Sequence, residues 1–416
     1  MTAPRPFRGR AARAAALVTA LVLVSWPLAV SPLGDLETRA PVPGAHLLHP
    51  ASYLLLSPVC DVMDALTLLS VRQTLALIAS LAVLYVLWRA ARWRRHGGSA
   101  WREARLALRA LGALIAFYGL GILAPRPMAA LALDDPAAVK VDVHSHTNWS
   151  HDARADFDVG ANLAWHRAAG FDVVYITDHK SFDGAAQAMR LNPARAGEGL
   201  VALSGLEFIE NHDHINALGA TERNAMWIRV DIRRARPHLP PARRIEPVLV
   251  QTIPEDLSAV PAPDAEGRRG VLAIELSDGA PRGIEQGQRD RALILRIADS
   301  LDLAVVAGSN NHGWGRTAVA WSVVRIPGWR ALTPDSLGAA IEQLIRAERR
   351  HAVRIVARRS PDPGRSRLAL AATLPAVGWN LFVTLSPAQR ASWIVWSWLV
   401  ASLAMFAPRR RRDPAW

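Results

Sequence analysis

The chain's chemistry-bearing residues gather where short apolar runs end. One such run closes in Asp142-Val143-His144-Ser145-His146-Thr147, followed by Ser150-His151-Asp152. In an extended strand residues i and i+2 point the same way, so His144 and His146 present two imidazoles to one side. Two neutral imidazoles with an acidic neighbour to orient them make half of a divalent-metal site. The next run ends Ile176-Thr177-Asp178-His179, a third ends Ser204-Gly205-Leu206-Glu207, and a fourth opens His212-Asp213-His214-Ile215. A single histidine is more often a hydrogen-bonded structural group than a ligand. Recurrence at successive strand ends is what points to metal, because active sites of α/β barrels gather at the C-terminal ends of their strands. Nitrogen-rich ligation with one carboxylate favours Zn, Mn or Fe over Mg or Ca.

The elements that must position these residues are legible from about 138 to 358. Strands are expected at Val139–His144, Phe171–Thr177, Leu200–Phe208, His214–Leu218, Pro247–Ile253, Val271–Leu276 and Ala304–Ala307. Amphipathic stretches at Gly160–Ala169 and Gln286–Leu301 lie between some of them. A last helix is marked by Thr333 as cap, Pro334 at its first position, and Leu337, Ile341, Leu344 and Ile345 on one face. Such alternation makes the fold class α/β, a barrel or an open sheet. Arg233–Glu246 and Ser258–Arg269 read as loops. No P-loop, His-Glu-x-x-His run or Gly-x-Ser-x-Gly elbow is present. Gly119-Leu120-Gly121-Ile122-Leu123-Ala124 fits a dinucleotide-loop pattern only by chance, since it lies inside an apolar run with no strand before it.

Outside this region the composition is that of a membrane protein. The 416 residues are 51% hydrophobic, with one cysteine, Cys60, which excludes an internal disulfide and Cys-rich zinc modules. Runs long enough to cross a hydrocarbon core occur at about 14–30, 66–88 and 106–123, in a region ending near 137. A two-span hairpin at about 368–385 and 392–406, turning at Ser386-Pro387-Ala388-Gln389-Arg390, is expected within 359–416. Asp61 and Asp64 argue against a further span at 51–69. The first run also fits a signal peptide, but the spans that follow favour an uncleaved anchor. The net charge of +13 flanks these runs, at Arg5 to Arg13, Arg89 to Arg95 and Arg409 to Arg412. That distribution favours a lipid bilayer over nucleic acid as partner. An integral protein of a bacterial inner membrane is expected. Arginines on both sides of the central region leave its side open.

The histidine motifs resemble those of the PHP (polymerase and histidinol phosphatase) domain family. The resemblance covers about 139–358. It rests on Asp142 to Thr147, on Gly170 to His179, on Leu203 to Glu207, on His214 to Gly219, and on Ala307-Gly308-Ser309-Asn310-Asn311-His312, which is similar to the family's Gly-Ser-Asp-x-His ending. It implies a distorted (β/α)7 barrel holding one to three divalent metals and hydrolysing phosphoesters. It also implies a ligand set. The first metal would take His144, His146, Glu207 and Asn310. A second would take Glu207, His214 and a further histidine, and a third His151, His179 and His312. Asp142 and Asp178 are read as carboxylates that orient ligand imidazoles. Apart from the resemblance, Arg316, four residues past His312 in Gly313-Trp314-Gly315-Arg316, is a candidate for gripping a phosphate bidentately. Two departures stand out. Gln251-Thr252-Ile253-Pro254 replaces the family's Ala-His-Pro, so the second site lacks a ligand, and Asn310 stands where the family has Asp. His212 or His238 would be substitutes, while His166 is expected on a helix surface. The expected function is membrane-anchored, metal-dependent hydrolysis of a phosphorylated small-molecule or membrane-proximal substrate. A catalytically retired metal-binding sensor is the alternative. A nuclease comes third, its groove supplied by Arg233, Arg234, Arg236, Arg243 and Arg244.

Overall fold

The computed structural model describes residues 6–406, save 98, 211–212, 222–246, 253–256, 258–259, 261, 264–269 and 362–365. Twelve strands appear among them. They are β1 (Leu33–Asp35), β2 (Ala45–Leu48), β3 (Ala130–Leu133), β4 (Ala138–Asp142), β5 (Val173–Ile176), β6 (Val201–Glu210), β7 (Asp213–Leu218), β8 (Val248–Gln251), β9 (Ala273–Asp278), β10 (Ala304–Gly308), β11 (Ala320–Arg325) and β12 (Arg354–Arg358). Ten form one mixed sheet in the order β1-β12-β11-β4-β5-β6-β7-β8-β9-β10, and β2 pairs with β3. The run β4-β5-β6 is parallel, β6-β7-β8 antiparallel and β8-β9-β10 parallel.

This sheet curls into a half-barrel whose far edge comes back toward its middle. The Ser322 hydroxyl of β11 accepts from the Ala307 N–H of β10 (2.8 Å) and donates to the Ala307 carbonyl (2.9 Å). Just past β10, the Asn310 N–H donates to the His144 carbonyl at 2.8 Å, so the ends of β4 and β10 meet. Alternate strand residues fill the inside of the curl, among them Val139, Val141, Val173, Tyr175, Val201, Leu203, Val250 and Val306. The Pro334–Glu348 helix begins as its sequence predicts, with the Thr333 hydroxyl accepting from the Ser336 N–H. It lays Leu337, Ile341 and Ile345 on this core, each at most 1% exposed, a burial of roughly 1.5–3 kcal/mol apiece. Strands β11, β12 and β1, which the sequence analysis did not mark, extend the sheet. Through β1, the segment after the first apolar helix is sewn to β12.

Three helices are long and apolar enough to cross a membrane, over Gly9–Leu28, Val71–Arg95 and Ala100–Gly121. The second starts later than hydropathy suggests because Ser70 and Gln73 form a capping box there. The expected C-terminal hairpin segments are helical as well. They comprise helices Arg367–Ala371, Thr373–Thr384 and Pro387–Phe406. The first two continue one another through Ala372, whose backbone is helical and whose N–H donates to the Leu368 carbonyl at 3.2 Å. Arg390 of the supposed turn lies inside the last helix and is 1% exposed. It donates to the Val22 carbonyl and the Ser25 hydroxyl, both at 2.8 Å, at the C-terminal end of the Pro6–Ser25 helix, where a cation is favoured. Asp61 and Asp64 lie on the 11-residue helix Ser57–Thr67 and are buried.

Candidate metal centre

Glu207, on β6 and 2% exposed, stands at the middle of the histidine cluster. Its Oε2 lies 3.0 Å from His146 Nε2, 3.1 Å from His144 Nε2 and 3.6 Å from His179 Nε2. Its Oε1 lies 2.5 Å from His214 Nδ1. His144 and His146 follow β4, and their Nε2 atoms are 3.1 Å apart. Ligand atoms about 2.0–2.1 Å from a tetrahedral ion stand roughly 3.3 Å from one another. The three atoms of His144, His146 and Glu207 therefore already have the spacing of a coordination triangle, and these residues form one group that could hold an ion.

A second such group is His146, His179 and His312. The His146 and His312 rings stack at 4.0 Å and those of His146 and His179 at 4.9 Å. Asp152 Oδ2 lies 3.2 Å from His312 Nε2 and 3.5 Å from His179 Nε2. Buried Asn310 Oδ1 and His179 Nδ1 make no hydrogen bond among the described residues, an omission that buried polar atoms rarely tolerate. The donor set, its spacing and these orphaned atoms fit a divalent ion.

Protonation favours ligation at His146, while at His144 a bound ion would have to displace a proton. Burial pulls His146 down to about 3, leaving it neutral near pH 7, the form that ligates. Burial would raise Glu207, but His144, His146 and His214 outweigh it and hold the carboxylate well below its usual range. Burial would lower His144, and Glu207 with Glu275 reverse that, raising it well above an ordinary imidazole.

Two carboxylates of the site were not singled out from sequence. Glu275 Oε1 lies 3.2 Å from His144 Nδ1, and Asp278 Oδ2 accepts from Asn310 Nδ2 at 2.8 Å. Residues three apart on a regular strand face opposite ways. A register shift in the β9–β10 pairing at this point brings both to the site. Exchanging Glu275 for glutamine is expected to weaken metal binding about 10–100-fold, the usual effect of losing a carboxylate behind a ligand imidazole. Competition with a chromophoric chelator would measure it, and unchanged affinity would leave Glu275 no orienting role.

Other expected residues are placed differently. His151 is exposed, its ring 5.4 Å from that of His179, and it belongs to neither group. His166 is not on the surface: the inward face of the Val159–Ala169 helix buries it completely, with Nε2 2.8 Å from Asp142 Oδ2. Asp142 thus meets a histidine outside the cluster, and its Oδ1 accepts the backbone N–H of His144 and of Ser309. Asp178 accepts from Thr147, N–H at 2.6 Å and hydroxyl at 2.7 Å, so it holds the loop after His146 rather than an imidazole. Arg316 donates to the Leu123 carbonyl at the end of the Ala100–Leu123 helix. Ile253, His212, His238 and the arginines at 233, 234, 236, 243 and 244 lie outside the described residues.

No family model matches the chain. A proline–tRNA ligase of Anaeromyxobacter sp. (strain Fw109-5) is 27% identical over 185 residues, 41% of this chain. The chain spans 31% of that relative's length. The crystal structure of PsfC from Pseudomonas syringae PB-5123 aligns at 18% identity over 58% of this chain and 96% of PsfC, with a TM-score of 0.32.

Proposed function

We propose that this chain is a membrane-anchored, metal-dependent phosphoesterase built on a PHP-type barrel, acting on a phosphorylated small-molecule or membrane-proximal substrate. The observation that carries the reading is the convergence of His144, His146, His179 and His214 on the buried carboxylate of Glu207. The meeting of β4 and β10 supports a closed seven-strand path, and the three long apolar helices support the membrane anchor.

In this reading an ion is held by His144, His146 and Glu207 or by His146, His179 and His312, since the one free Nε2 of His146 serves a single ion. A Zn, Mn or Fe ion bound there supplies Lewis acidity and a water acidified toward neutral pH. The chain's own groups do the positioning. Glu275 fixes the His144 ring through Nδ1, and the Ser150 hydroxyl meets His146 Nδ1 at 3.0 Å. Asp178 anchors Thr147, and Asp142 anchors the backbone at His144 and Ser309, which locks the two ligand-bearing loops together.

Asn310 favours a second reading, a domain that binds metal without turnover. Its neutral amide donates to Asp278 where a carboxylate would add charge to the centre. The two readings separate in one assay. The full chain, purified in detergent and loaded with Mn, Zn or Fe, is expected to hydrolyse an aryl phosphoester, and His179→Ala to lose at least 100-fold of that rate. A metal-loaded chain without turnover would establish the second reading instead.

A further inference from the structure

A cavity of about 850 Å³ lies away from the metal centre, between the half-barrel and the membrane-side helices. Leu276 and Ile284 wall it from the central domain, and Leu28, Val30, Trp379 and Val383 from the segments beside the apolar helices. Such a volume with mostly apolar walls suits a ligand, since binding pockets span roughly 300–1,000 Å³. Its polar groups are strongly one-sided. Arg39, Arg291, Arg358 and Arg359 line it against a single carboxylate, Asp35, which is already held by Arg354 and by the backbone N–H of Thr38. Arg358 is matched by Asp64 at 2.8 Å. The exposed Arg359 guanidinium has no ion pair among the described residues, and Arg359 also lines the neighbouring cavity of about 300 Å³.

We infer that this cavity holds an anionic phospholipid of the surrounding bilayer, acyl chain inside and phosphate at Arg359. The inference rests on the reading of the three apolar helices as membrane spans. Leu28, Val30 and Trp379 are 53%, 38% and 47% exposed, so the apolar wall continues outward onto an apolar surface. Trp379 is of the type that settles at headgroup level, beside a cation that attracts anionic lipid. The site is separate from the substrate site: Leu276 and Ser277 line the cavity, while Glu275 and Asp278 contact His144 and Asn310.

The full chain in detergent would be mixed with phosphatidylglycerol or phosphatidylcholine and bound lipid counted by native mass spectrometry. Wild type is expected to retain phosphatidylglycerol at least tenfold better. Arg359→Glu should bring the two lipids to parity. Ala376→Phe, which fills the cavity from the Thr373–Thr384 helix, should reduce both about tenfold. Equal retention by wild type, or a preference that survives Arg359→Glu, overturns the assignment even if Ala376→Phe fails to fold. Fractionation of cells separates the premises. A chain absent from membranes yet selective in micelles removes the membrane reading and keeps the cavity. A membrane-bound chain without selectivity removes the cavity's ligand alone.

Discussion

If the proposed reading holds, replacing Glu207 by glutamine is expected to strip the chain of divalent metal and to abolish phosphoester turnover with it. Glutamine keeps the side chain's volume in a site where Glu207 is 2% exposed, so the packing around it is preserved. The charge is what disappears, and it is the charge that holds four imidazoles in one place. Both groups suffer, because His146 is common to them and lies 3.0 Å from the lost carboxylate oxygen. Loss of a group behind a ligand costs about 10–100-fold in affinity, and loss of a charged ligand should exceed that. Elemental analysis after dialysis reads the metal, and circular dichroism confirms that the chain remains folded. A folded Glu207→Gln chain with its full metal content would move the centre away from Glu207. Removing the metal with a chelator should reproduce the mutant's inactivity in wild type, reversed by adding Mn, Zn or Fe.

Much of this centre is visible in the sequence because its residues sit at ends of apolar runs. His144, His146, His179, Glu207 and His214 all follow or open such a run, so local pattern and position coincide. Glu275 and Asp278 escape that logic. Alternation separates them, and only the irregular β9–β10 register brings them together. His166 escapes for a related reason. Its helix was recognised, but which face is inward depends on Asp142, 24 residues earlier, supplying a partner. Strands β11 and β12 pair across long chain separations, and β1 is three residues long, too short for a periodic signal.

The long apolar helices divide the same way. Hydropathy locates three long helices to within several residues, since apolar length alone defines them. It misplaces the turn of the C-terminal hairpin because it averages over buried charge. Arg390, expected in the turn, lies in the last helix and finds a backbone acceptor on another helix that no local window contains. In the sequence Asp61 and Asp64 stand as obstacles to a span. Their positive role, as a buried junction between the helices and the sheet, depends on partners up to 332 residues away.

That junction gives the largest expected stability effect outside the centre. Asp64 is 3% exposed and accepts from Arg358 (2.8 Å), Arg126 (3.1 Å), Thr317 (2.8 Å) and Tyr53 (3.0 Å). Burial would raise its carboxyl, but Arg358 and Arg126 outweigh burial and keep it ionised. Substituting asparagine leaves two buried guanidinium groups without a counter-charge, a loss of about 3–5 kcal/mol by comparison with other broken buried pairs. An apparent melting temperature lower by on the order of 10 °C is the expected reading. Asp61 supplies the control. It accepts from the neutral donors Tyr53, Gln389 and Trp393, and burial raises its carboxyl to about 6. Asp61→Asn therefore strands no cation and should cost far less. Thr317, five residues past His312, also bonds Thr67 and Arg126. Loosening the junction should thus also weaken retention of an ion held by His146, His179 and His312. Equal losses of stability in Asp61→Asn and Asp64→Asn would mean that the arginines are not confined by Asp64.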